Sequence, residues 1–213
     1  MALNDYMYKT FPHLALRPPL FYNWDIGIRF ELGVDYDPGE VCENGPYLQG
    51  VYERATQLFK SLHAPNDSIY IVVDVSNSAD SAAFKHKLNT FSKYVKEKSL
   101  LYKLGHDIIP YIFWEDDEDG SCRTHRFTLP CKTSQLRYIP ILKAICNHDL
   151  GIRPSIFHRV YFINRDKHTI FHVYDDRGCD VVATSPETIK GIYKRYNDWI
   201  LDYDRNEIDQ VFK

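Results

Sequence analysis

The chain has 213 residues, 44% of them apolar and 26% charged, with a formal net charge of −3. That length builds a sizeable core in one or at most two domains, and the composition is that of an ordinary globular protein. The mild acidity lacks the basic stripe of a dedicated nucleic-acid binder, and no apolar run approaches the ~18 residues of a membrane span.

Leu3 to Phe11 reads as a short amphipathic helix, with Asn4 a candidate cap, and Pro12, Pro18 and Pro19 then keep the chain extended. The start, MALNDYMYKTFPHL, lacks the basic head and apolar core of a signal peptide, so a cytoplasmic protein is expected. Ile26, Ile28, Phe30 and Leu32 alternate with Gly27, Arg29 and Glu31, which predicts a strand with one buried face and places Arg29 and Glu31 on the other. Asp35 to Gly45 is a polar loop. From Tyr47 to Leu62, seven apolar residues from Leu48 to Leu62 recur at helical spacing and make one stripe.

Ile69 to Val75 (IYIVVDV) is nearly all apolar, the pattern of a central strand covered on both faces. Asp80 is placed to cap a helix through Phe84, Leu88 and Phe91, with an extension to Val95. Lys93 to Lys103 is basic and amphipathic, helical or irregular. Ile108 to Trp114 predicts a strand that Pro110 confines to an edge or a bulge. An acidic turn, EDDEDG, follows, and Thr124 to Leu129 returns as the second half of a hairpin. Leu136 to Ile145 is a predicted helix that tolerates Pro140 only in its first turn.

His158 to Ser185 carries the clearest β-meander: Val160 to Asn164, Thr169 to Tyr174 and Cys179 to Ala183. Thr184 and Glu187 then suggest a capping box. Ile189, Ile192, Tyr193, Tyr196, Ile200 and Tyr203 continue at helical spacing. Asp204 and Glu207 suggest a second box before a short terminal helix. With no repeat or linker, the expected architecture is one α+β domain over residues 1–213. It is a mainly antiparallel sheet with helices packed mostly on one face.

Chemistry is harder to read. The P-loop, GxGxxG, GxSxG and HExxH patterns are absent, and no cofactor or metal site is predicted. EDDEDG places acids as a calcium loop would, but its twelfth position is Arg126 where a bidentate Glu is needed. Asp116, Asp117 and Asp119 are therefore a solvated hairpin tip or a partner-facing patch. In Asp175-Asp176-Arg177-Gly178, Gly178 can supply a positive φ and the carboxylates can accept turn amides. The alternative makes Asp175, Asp176 and Arg177 a charged knob for a partner. His125 reads as a core-edge histidine. His172, placed to lie across the hairpin from Cys179, leaves open a small hydrolase or nucleotide-processing enzyme built on His125, His172, Asp175 and Cys179. Five scattered cysteines without a CxxC pair are expected to be reduced thiols.

Several stretches carry a family resemblance: PPLFYNWDIGIRFELG, FKHKLNTFSKYVKEKSLLYKL, THRFTL, and above all VYFINRDKHTIFHVYDDRGCDVVATSPETI followed by IYKRYNDWILDYDR. Together they resemble the bacterial family DUF3885. The resemblance covers essentially the whole chain, implies a stand-alone cytoplasmic bacterial protein, and brings no catalytic residues with it. The style of the meander is also similar to immunity proteins of polymorphic toxin systems. The leading expectation is a non-catalytic binding module, monomeric or homodimeric, whose partner is a protein such as a basic toxin domain. Contacts are expected at Arg29, Glu31, Asp116, Asp117, Asp119, Asp175, Asp176 and Arg177.

Overall fold

The apolar runs pair into one antiparallel sheet. The structure, a computed structural model, describes residues 1–39, 41–77 and 87–213. The strands are β1 (Gly27–Glu31), β2 (Ser68–Asn77), β3 (Gly105–Pro110), β4 (Arg123–Lys132), β5 (Arg159–Asn164), β6 (Thr169–Val173) and β7 (Gly178–Ala183). Their spatial order is β1-β7-β6-β5-β2-β4-β3. The predicted meander forms one half of the sheet, and β2 joins it by pairing antiparallel with β5 on one side and β4 on the other. The predicted central strand is therefore central, and the fold class is α+β as the sequence suggests.

Helices α2 (Pro46–Leu62), α3 (Lys87–Tyr94), α4 (Tyr138–Cys146), α5 (Pro186–Arg195) and α6 (Arg205–Phe212) cover one face. The apolar stripe of α2 is wholly buried, and Phe59 packs edge-on to Phe162 and Phe171 from the sheet. Each such fully buried aromatic or aliphatic side chain contributes about 1.5–3 kcal/mol. The opposite face is closed by α1 (Leu3–Thr10) and the extended segment behind it. Tyr6, Leu14, Leu16 and Leu20 pack there on Tyr70, Val72, Tyr161, Ile163 and Ile170.

That second cover explains the first departure from expectation. Arg29 is only 9% exposed, because the Phe21 and Tyr22 rings lie 5.5 and 4.6 Å from its guanidinium on the face that alternation assigned to solvent. β3 is an edge strand, as Pro110 requires, but it begins at Gly105 and ends at Pro110. Beyond Pro110 the ladder is lost: the Ile112 amide donates to the Thr124 hydroxyl instead, and Trp114 enters a 3-10 turn. The predicted start of α3, Asp80 to Phe84, lies outside the described residues.

Further departures fall at the C-terminus. The helix predicted to run toward Tyr203 stops at Arg195. Ile200 turns extended and bridges Phe30, and the Leu201 amide donates to the Arg29 carbonyl, so this segment seals the outer edge of β1. Neither predicted capping box forms. Ser185 sits at the N-cap of α5, and Asp204, at the N-cap of α6, makes no side-chain capping bond.

Candidate functional site

A row of buried polar residues crosses the face covered by α1. Strand register places Asp74 opposite Arg126, His172 opposite Asp180, and Asp180 opposite Arg29. Directly opposed residues share a face. Arg126 grips Asp74 bidentately, with Nε and Nη2 donating to the two carboxylate oxygens at 2.8 and 2.6 Å. Arg29 Nε donates to Asp180 Oδ1 at 2.8 Å, and the Phe21 amide donates to Asp180 Oδ2 at 3.1 Å. Asp204 completes this cluster: its Oδ1 accepts the Tyr22 hydroxyl at 2.7 Å and its Oδ2 lies 3.6 Å from Arg29 Nη1. The side chain expected to cap a helix is thus spent on a buried cation. Burial works against the Arg29 charge, but the hydrogen bonds and charge of Asp180 outweigh it and raise the guanidinium pKa.

Between the two ion pairs the row is poorly satisfied. His172 stacks on Tyr161 with ring centroids 4.4 Å apart, and its Nδ1 faces the Val160 carbonyl at 2.9 Å. Among the described residues, neither His172 Nε2 nor the Tyr161 hydroxyl has a hydrogen-bond partner. Burial depresses the His172 pKa, so the ring is neutral and Nδ1 carries the proton that Val160 accepts.

At one end of this face the cover runs out and a cleft of about 1090 Å³ opens. Arg29 and Glu31 of β1, Arg159 of β5, and the turn Tyr174–Arg177 line it, with Tyr47 of α2, Asp149 beyond α4, and Phe113, Pro18 and Pro19 at its margins. The turn after β6 is tightly held. Asp175 accepts the Arg177 amide at 2.8 Å and its Nε at 2.9 Å, and Nη2 contacts the same carboxylate. Asp176 accepts the Tyr47 hydroxyl at 2.5 Å. Burial lifts the Asp176 pKa, Tyr47 opposes the rise, and the neighbouring Asp175 adds to it. Asp149 stands 3.7 Å from Arg177.

Two glycines make room for the tyrosine walls. A Cβ at Gly33 would overlap the Tyr47 hydroxyl, and one at Gly178 would overlap the Tyr174 hydroxyl and lie 2.7 Å from the Phe30 carbonyl oxygen. Gly178 does not have a positive φ. Close approach of the Tyr174 ring, not turn geometry, is what demands glycine there.

Among the predicted contact residues, Arg29, Glu31, Asp175, Asp176 and Arg177 line this one cleft. Asp175 and Asp176 are each only 4% exposed, so they form a wall and not a projecting knob. Asp116, Asp117 and Asp119 do not line it. Their loop is tied down instead: Glu115 accepts Arg17 at 2.8 Å, Asp117 accepts the Cys122 amide and Asp119 the Ser121 amide. The histidine and cysteine constellation does not assemble. Cys179 packs with the α2–α6 core, whereas His172 lies in the polar row on the opposite face. Burial pushes the Cys179 and Cys146 thiols well up, away from the nucleophilic thiolate. His125 meets His106 at 3.0 Å near β3 and lines no part of the cleft. All five cysteines are unpaired; Cys146 and Cys179 are buried, Cys122 and Cys131 are half-buried, and Cys42 is exposed. No group of three or more His, Cys, Asp or Glu among the described residues is arranged to hold a metal. No helix among them is long and apolar enough to cross a membrane.

Residues missed from sequence include Asp74, Asp180, Arg159 and Tyr174. A signal for the first two was present. A carboxylate inside an apolar strand covered on both faces must find a cation, and Arg29 and Arg126 lay in neighbouring apolar runs.

Fold and site together define an α+β protein with one antiparallel sheet and a mixed-charge cleft at the end of it. The chain matches the model of the family described as "Domain of unknown function (DUF3885)" over residues 3–204, and it belongs to that family. It is similar to the "Uncharacterized protein YnaE" of Bacillus subtilis (strain 168), with 31% identity over 211 residues that cover 95% of this chain and 99% of that protein. No solved structure matches it.

Proposed function

We propose that this protein is a non-catalytic binding module whose cleft receives a basic segment of a protein partner, as an immunity protein does when it masks a toxin domain. The observation that carries this reading is the charge balance of the cleft. Glu31, Asp149, Asp175 and Asp176 line it against Arg29, Arg159 and Arg177. Arg29 is already neutralised from behind by Asp180 and Asp204. A recess walled by low-dielectric tyrosines focuses the remaining negative field and steers a cationic group inward. Glu31 is the natural first contact, since it is partly exposed and pairs with no described cation.

The test is an affinity capture from bacterial cytoplasm with the full chain, run in parallel with Glu31→Lys and Asp149→Lys. Wild type is expected to retain one basic protein stoichiometrically, and each charge reversal to lose it. A partner retained equally by all three proteins, or no stoichiometric partner at all, overturns the proposal.

A further inference from the structure

Asp74 faces two arginines. Register sets Arg126 of β4 and Arg159 of β5 directly opposite it on the same side of the sheet. Both carboxylate oxygens go to Arg126, and Arg159 is left out. Its guanidinium lies 5.8 Å from the Phe113 ring, with no carboxylate or hydrogen-bond acceptor among the described residues. Arg159 is only partly exposed and lines the cleft. A half-sheltered cation without an anion is costly unless something else supplies the anion.

We propose that Arg159 forms an oxyanion subsite at the sheet end of the cleft that takes a carboxylate of the bound segment. The guanidinium fork matches a planar carboxylate bidentately. A monoanion fits better than a phosphate dianion, because a single uncompensated cation is offered and Glu31, Asp149, Asp175 and Asp176 share the recess. The assignment deepens the binding reading of the cleft. The ligand becomes bipolar, with a basic side chain toward Glu31 and Asp149 and a carboxylate on Arg159.

The test needs no partner protein. The full chain is titrated with acetate, and separately with inorganic phosphate, against chloride at matched ionic strength. The readout is the Nε–Hε resonance of Arg159, assigned from its loss in Arg159→Gln. Acetate is expected to shift that resonance saturably. Arg159→Lys, which keeps the charge and loses the fork, should weaken the acetate-induced change in thermal midpoint about tenfold in apparent affinity. An Arg159 resonance that ignores acetate, a response to phosphate alone, or an Arg159→Lys protein that responds like wild type each overturns the carboxylate subsite. Acetate binding without a captured partner would instead sink the protein-partner reading and leave the subsite standing.

Discussion

Tyr161→Phe removes one oxygen atom from the middle of the buried row and should make the protein more stable. Most Tyr→Phe changes in a core do the opposite, since they break a hydrogen bond. The Tyr161 side chain is fully buried, and its hydroxyl has no partner among the described residues. Burial pushes its pKa well above the ordinary tyrosine value, with Asp74 adding to the rise, so the hydroxyl stays neutral. An unpartnered buried hydroxyl costs about 1–3 kcal/mol on the scale of protein mutational data. The phenyl ring retains the stack on His172 and the packing on the α1 side, so the apolar terms change little. The expected gain is therefore about 1–3 kcal/mol, and each kcal/mol raises the melting temperature of a chain this long by about 2–4 °C. Urea denaturation and calorimetry measure it, with Tyr47→Phe as the contrast. The Tyr47 hydroxyl donates to the buried Asp176, so its removal should cost about 1–3 kcal/mol. If Tyr161→Phe is destabilising by as much as Tyr47→Phe, the Tyr161 hydroxyl is hydrogen-bonded in solution and the account of the row is wrong.

Asp180→Ala strips the buried Arg29 of its main counterion and the Phe21 amide of its acceptor; a loss of about 3–5 kcal/mol is expected by urea unfolding, and a loss under 1 kcal/mol would show that the cation relaxes into the cleft. Gly178→Ala should destabilise the protein, and adding Tyr174→Phe should not restore it, because the Phe30 carbonyl oxygen lies 2.7 Å from the new Cβ; full rescue in the double mutant would mean that the phenol alone sets the constraint. His63 is buried against Phe59, and burial lowers its pKa from 6.5 to about 4. The unfolded chain therefore binds the extra proton first: this contribution is intact above pH ~6.5 and declines by about 1.4 kcal/mol per unit as pH falls toward 4. His63→Phe should flatten that part of the stability–pH curve, and an unchanged slope would place the acid sensitivity elsewhere.

Periodicity was enough to place most of the elements and their order of burial. The stripe of α2, the continuous run of β2 and the turns of the meander each answer to a local rule, because helix and strand periods are written in consecutive residues. The same local rules misread Asp204 as a cap and Gly178 as a turn glycine, since both residues answer to groups far away in sequence: Arg29 for one, the Tyr174 ring over a strand end for the other. Sequence also named Arg29, Glu31, Asp175, Asp176 and Arg177 by their residue types, yet could not say that they meet. Three strand registers decided the rest: β1 on β7 set Arg29 beside Asp180 and brought Glu31 to the start of β7, and β2 on β4 and β5 set Asp74 between Arg126 and Arg159. Register is a long-range property, set by how whole faces pack. Among the described residues it leaves Arg159 without a counterion and the Tyr161 hydroxyl without a partner, and no local pattern in either segment encodes that outcome.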